Sequence, residues 1–218
     1  MLVYRPLQQI AYERIKSMVQ NHELDFDTVY SETKFASEFS VSRTPMREAL
    51  IRLSNERYID ILPNRGFIMH KPSREDMLEA YHVRMALEGY CGQIVAREYQ
   101  TSKGEGTIKQ MSVCHEQQMS LNVNLDQTTL LKFWQYDLDF HISMIHHVNL
   151  PSFNQQFEAF MHFFRANRVA GYISLNRNNK TLVEHQKILD ALYAGDPSKV
   201  LIAIREHLDA GLETILNC

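Results

Sequence analysis

Residues 41–50 read VSRTPMREAL. Met46, Ala49, Leu50 and the following Leu53 fall at i, i+3, i+4 and i+7, the apolar stripe of an amphipathic helix that opens at Ser42. Pro45 suits the first turn, whose N–H groups have no partner inside the helix. Arg43 and Arg47 sit one turn apart beside the stripe, with Ser42 and Thr44 next to them. A helix N-terminus carries free backbone N–H groups and partial positive charge, so this end is suited to an anion. Further along, Glu48 and Arg52 are spaced i, i+4 and are expected to pair.

Upstream, PLQQIAYERIKSMVQN (6–21) places Leu7, Ile10, Ile15, Met18 and Val19 on a helical pattern behind Pro6, which predicts a first helix. HELDFDTVY (22–30) reads as a loop. Ser31 then caps a short helix over 31–39, and a turn at Ser40 and Val41 leads into the helix at Ser42. Downstream, YIDILPNRGFIMHKP (58–72) reads as a β-hairpin about the turn Pro63-Asn64-Arg65-Gly66, with an arginine at its tip. Two short helices, a tight turn and a hairpin make a winged helix-turn-helix, whose second helix enters the DNA major groove while the wing follows the backbone or minor groove. Arg43 and Arg47 are then placed for phosphates and base edges, guanine O6 and N7 above all. The plainer alternative is a solvated cationic helix end.

Bulk composition bounds the rest. A chain of 218 residues with 44% hydrophobic content has enough apolar side chains for one large or two modest cores. Charge is +1 up to Lys71 and −4 beyond it, within a net −3, so Arg43, Arg47, Arg52, Arg57 and Arg65 form a local patch on a protein that is not basic overall. No apolar run approaches the roughly 18 residues of a membrane span and the N-terminus lacks a signal-peptide core, which predicts a cytoplasmic protein with no membrane partner. Cys91, Cys114 and Cys218 are odd in number and without a CxxC pair, which argues against a disulfide framework or a thiolate zinc site.

Ser73 with Asp76 three residues later caps a long helix directly after Pro72, so a boundary is expected near 70–73, dividing residues 1–72 from 73–218. Helices are predicted at about 74–98, 104–123, 127–147, 151–170, 178–194 and 197–216, an all-α bundle, with a polar, mobile loop over 171–180. The fold class is therefore mostly α. Within the helix 127–147, Asp137 and His141 share the stripe of Leu130, Trp134, Met144 and Val148, the face that should be buried. A buried, unpaired carboxylate there would cost several kcal/mol. A metal would settle the conflict, joined by His185 on the stripe of Leu182, Ile188 and Leu192 and by His207 at the edge of the stripe Leu201, Ile204, Leu208 and Ile215. An Asp137–His141 ion pair, or histidines bonded to carbonyls, would also settle it. Spacing does not choose among the further histidines His82, His115, His146, His147 and His162. Arg84 raises a similar question, with Glu88 as its i, i+4 partner or a bound carboxylate as its target.

Together these residues resemble the GntR superfamily of transcriptional regulators, in the FadR-like branch with an FCD effector domain. VSRTPMREALIRL is similar to that family's recognition helix and PNRGFIM to its wing. VRMALEGY, DLDFH, VNLP, EHQKILDALYAGD and the late REHL resemble its effector-domain segments. The resemblance covers nearly the whole chain. It implies a homodimer bound to a palindromic double-stranded DNA operator and modulated by a small, often carboxylate, effector. Ser42, Arg43, Thr44 and Arg47, with Arg65 and Gly66 in the wing, would then contact DNA. Asp137, His141, His185 and His207 match that family's metal ligands, for zinc, nickel, manganese or iron, and Arg84 matches its effector-facing arginine. Three departures stand out: the glycine-free loop HELDFDTVY, Thr33 in place of an arginine, and Arg57 in place of a glycine, where a positive φ would suit arginine poorly. Two rival readings are a metal-dependent hydrolase or oxygenase built on the Asp/His cluster, and a DNA-binding protein whose bundle only dimerises around a structural metal.

Overall fold

A computed structural model describes residues 5–21, 23–121, 127–169 and 175–216. The chain forms two compact units, Met1–Lys71 and Pro72–Cys218. In the first, α1 (Leu7–Gln20), α2 (Glu32–Glu38) and α3 (Arg43–Asn55) precede an antiparallel hairpin of β1 (Ile59–Leu62) and β2 (Gly66–Met69), with Ile59 opposite Met69 and Leu62 opposite Gly66. The apolar stripe of α3 is buried as its spacing requires: Met46, Ala49, Leu50 and Leu53 pack with Ala11 and Ile15 of α1, Phe35 of α2 and Phe67 of β2 in one core. Ser31 caps α2, its Oγ accepting from the Lys34 N–H.

Three local expectations change. Tyr30, read as loop, forms a β-bridge with Phe67, donating its N–H to the Phe67 carbonyl at 2.8 Å and accepting in return at 3.0 Å. That bridge explains Gly66: a Cβ there would lie 2.0 Å from the Tyr30 carbonyl oxygen, and its φ of +121° is one that side-chain-bearing residues avoid. Arg57 nonetheless adopts φ +57° in the turn after α3. Arg52 pairs with Glu56 at 3.0 Å, donates to Gln9 at 2.9 Å and lies over the Tyr12 ring, in place of the expected pairing with Glu48. Two partners on α1 and one at its own helix end together outweigh a single exposed pair on the helix surface.

In the second unit the described residues are helical, with no strand among them: α4 (Arg74–Arg97), α5 (Ser102–Ser120), α6 (Gln127–Val148), α7 (Pro151–Val169), α8 (Leu175–Tyr193) and α9 (Pro197–Leu216). Ser73 and Asp76 form a complete capping box at the start of α4. Helix α4 runs through the middle, packed against α6, α7, α8 and α9. Gly92 lets α9 approach it, because a Cβ there would sit 2.7 Å from Ile204 and 2.9 Å from Val200. Helix α5 begins two residues earlier than its pattern suggests, since Thr101 accepts the Gly104 N–H and supplies the cap.

The largest correction concerns 171–180. Residues 175–180 are not loop but the first turns of α8, and Arg177 and Asn178 are buried. Polar residues are tolerated there because Glu184, two turns on, takes both forks of the Arg177 guanidinium at 2.7 and 2.8 Å. Residues 170–174 lie outside the described residues, as do His22 and the side chain of His162.

Candidate functional site

Five helices of the second unit bring polar groups into one buried place. Helix α6 supplies Asp137 and His141, α8 His185 and Glu184, α9 His207, α4 Arg84 and Glu88, and α5 Gln118. Each of His141, His185 and His207 offers a nitrogen within 4.8 Å of the others. Asp137 Oδ1 lies 3.5 Å from His185 Nε2. His82 and His146 are exposed. His147 is engaged by Glu98 at 3.0 Å and Thr107 at 2.8 Å, and His115 stacks edge-on to His185 outside the cluster.

The surrounding oxygens decide which nitrogens converge. Gln118 donates its amide to the Phe133 carbonyl at 3.2 Å, which turns its Oε1 toward His185 Nδ1 at 3.0 Å. Glu184, an acceptor only, sits 2.8 Å from His207 Nδ1, and Glu88 lies 2.7 Å from His141 Nδ1. Gln118 and Glu184 thus favour the proton on Nδ1 of His185 and His207, leaving their Nε2 atoms toward the centre, while the Glu88 carboxylate lies against His141 Nδ1. His207 Nε2 and His141 Nε2 are 3.1 Å apart, and His185 Nε2 is buried with no hydrogen-bond partner among the described residues. Oxygen partners behind metal-bound imidazoles fix their tautomer and raise their basicity, and the arrangement here has that form.

Electrostatics agree with this geometry. Burial pushes His207 down to about 4 despite Glu184, and pushes His185 well below the ordinary imidazole value, with the charge of His207 adding to the effect. Both are neutral near pH 7, the ligand form of histidine. Glu88 is fully buried, which alone would raise its carboxyl; Arg84 and then His141 outweigh burial and hold it at about 2. The donor set of imidazoles and one carboxylate fits a first-row divalent cation.

A small cavity of ≈ 30 Å³ adjoins this cluster at Asp137 and His207. Arg84 and Asp137 line it together with Trp134, Arg177, Asn178 and His207. Of these, Arg177, Asn178 and the supporting trio Glu88, Gln118 and Glu184 were not singled out as site residues by spacing. The only signal for Glu184 was its place beside His185.

In the first unit, Ser42, Arg43, Thr44 and Arg47 are exposed at the N-terminal end of α3, and Arg65 is exposed at the hairpin tip with Gly66 beside it. Arg43, Arg47 and Arg65 make no ion pair among the described residues, whereas Arg52 is held internally.

The FCD domain model matches residues 79–210 and that of the bacterial regulatory proteins of the gntR family matches residues 7–69. The HTH-type transcriptional repressor RspR of Escherichia coli K12 is 25% identical over 211 residues, which span 97% of this chain and 90% of that one. The HTH-type regulator YdhC of Bacillus subtilis is 24% identical over 179 residues, 82% of this chain and 77% of that one. Among solved structures, a regulator described as GntR from Rhodococcus sp. RHA1 superposes with a TM-score of 0.77 at 17% identity, covering 97% of this chain and 98% of the other, which establishes likeness of fold. A winged helix-turn-helix followed by a helical FCD domain is the build of a transcriptional regulator, not of an enzyme. The chain belongs to the FCD domain family and carries a gntR-type helix-turn-helix segment ahead of that domain.

Proposed function

We propose that this regulator binds a palindromic operator as a homodimer in the cytoplasm and is modulated by a small carboxylate held near a metal in its second unit. Residues 1–72 serve as the DNA-binding domain and residues 73–218 as the domain for effector binding and dimerisation. The observation that carries the effector reading is the convergence of His141, His185 and His207 with Asp137 beside a cavity whose lining includes Asp137, His207 and Arg84. Asp137, His141, His185 and His207 would hold zinc, nickel, manganese or iron, and the ion would supply a Lewis-acidic docking point for carboxylate oxygens. Arg84 adds a planar, permanently charged guanidinium whose geometry suits a carboxylate. Among the described residues no helix is long and apolar enough to cross a membrane.

On the DNA side, Arg43 and Arg47 with Ser42 and Thr44 would meet phosphates and base edges, and Arg65 with Gly66 would meet the backbone or minor groove. What supports this is their exposure and, for the arginines, the lack of a paired carboxylate among the described residues. An acid that binds one arrangement of the dimer more tightly than another shifts the half-site spacing that the dimer satisfies.

The test is operator affinity by fluorescence anisotropy, with and without a panel of small acids whose binding is measured separately. At least one bound acid is expected to change that affinity by tenfold or so. If every acid that binds leaves operator affinity unaltered, the effector role is wrong even though the DNA-binding role stands.

A further inference from the structure

Arg177 lines the cavity beside the cluster, yet both of its Nη groups are committed to protein. Nη1 donates to Oε1 of Glu184 at 2.7 Å and Nη2 to Oε2 at 2.8 Å, a two-pronged hold on one carboxylate. Oε2 also accepts from His207 Nδ1, 2.8 Å away. Past it, Nη2 approaches the His207 carbonyl at 3.4 Å. Arg177 thus meets the main chain of His207 directly and its ring through Glu184.

Packing alone does not account for this arrangement. Arg177 and Glu184 stand seven residues apart on α8, outside the i, i+4 spacing of ordinary helix pairs. The arginine is 7% exposed, and a buried ion pair contributes little to stability that an apolar residue of similar size would not. A glutamate carboxylate turns about a broad, roughly two-fold last torsion, so a single partner would leave the plane of Glu184 loose. A planar guanidinium fork fixes that plane. Oε2 is then held where His207 Nδ1 points, and the ring keeps Nε2 toward the cluster, 3.1 Å from His141 Nε2. We infer that Arg177 is a positioning residue of the metal centre, setting the orientation of His207 through Glu184 from the start of α8. The inference rests on the metal reading above and adds to it a residue outside the ligand set.

The experiment uses the full-length protein, stripped of metal and titrated with Co²⁺. Affinity is read by competition with a chromophoric chelator, and visible absorption reports the coordination of the ion. Arg177→Gln is expected to lower Co²⁺ affinity about tenfold and to change the visible bands. Arg177→Lys keeps the charge but replaces a fork with a point, and is expected to lose nearly as much. Because the arginine acts through the carboxylate, Arg177→Gln combined with Glu184→Gln is expected to weaken binding no more than Glu184→Gln alone. Ser73→Ala disturbs the cap of α4 instead and serves as the control for lost stability, with Co²⁺ affinity expected to match the wild type. Circular dichroism checks the fold of each variant; if Arg177→Gln does not fold, Arg177→Lys carries the same test. Wild-type affinity and spectrum in either Arg177 variant, additive losses in the double variant, or an equal loss in Ser73→Ala overturns the assignment and leaves the metal reading intact. Wild-type protein that takes up no Co²⁺, or only as much as His185→Ala, removes the metal reading and this inference with it.

Discussion

His185 shows how much of a site depends on one side chain behind it. Its useful nitrogen is set by Gln118, and Gln118 is set in turn by the Phe133 carbonyl. Gln118→Leu keeps the volume and removes the acceptor for Nδ1–H, so the imidazole is free to take the other tautomer. Metal affinity, measured by competition with a chromophoric chelator, is expected to fall about 10- to 100-fold. Wild-type affinity in that variant would mean that the tautomer is fixed by something else. Of this cluster, Asp137 and His141 were legible in the sequence, because a carboxylate and an imidazole four residues apart on an apolar stripe conflict with burial, and His185 and His207 stood out with them from their own stripes and from the family resemblance. Gln118, Glu88 and Glu184 were not, because a polar residue on a helix gives no sign of which distant ring it will face. Gly66 belongs to the same scale. Gly66→Ala drives a Cβ against the Tyr30 carbonyl and forces an unfavourable φ, with an expected loss of about 2–3 kcal/mol in denaturant unfolding of the first unit.

At the scale of elements, α3 divides its arginines between two jobs. Arg52 faces α1, where Gln9, Tyr12 and its own-helix Glu56 hold it. Arg47 is exposed on the helix without an ion pair among the described residues. Arg52→Ala is expected to lower stability by about 1 kcal/mol while the salt dependence of operator binding keeps its slope. Arg47→Ala is expected to do the reverse, leaving the unfolding curve in place and either reducing the salt slope by about 1 or relaxing sequence preference. Measuring both quantities on both variants checks the division; a matched loss of stability would refute it. Helix α4 carries a further local device. Ser73→Ala removes half of a capping box and is expected to cost about 1 kcal/mol in thermal unfolding. The start of α8 was misread for a definite reason. Residues 175–180 lack apolar periodicity, and their helix is supported by a buried arginine whose partner, Glu184, lies beyond any local pattern.

For the whole molecule, a metal held by Asp137, His141, His185 and His207 would be a folding ligand of the second unit. An ion at about 100 times its dissociation constant adds about 2.7 kcal/mol to the unit that binds it. Trp134 lies in that unit and its emission reports on that unit alone, so a chelator is expected to lower the unfolding midpoint seen by fluorescence in the wild type and to change nothing in His185→Ala. An identical midpoint with and without chelator would argue against a bound metal.

The amino-acid sequence by itself determined the winged helix-turn-helix, the helical character of the second unit and the capped start of α4. Each of these rests on spacings of two to seven residues, a range over which backbone geometry alone fixes which side chains share a face. It also placed Asp137 and His141 in conflict with their surroundings. Spacing alone left His115 and His147 open beside His185 and His207, which the resemblance favoured; the tertiary structure brings His185 and His207 to His141, engages Arg177 with Glu184, and buries the Trp134 and Asn178 donors at one cavity. The physical reason is that these groups stand on different helices, tens of residues apart in the chain. Their meeting is set by how the helices pack, with α9 drawn against α4 at Gly92, and helical periodicity carries no information about that.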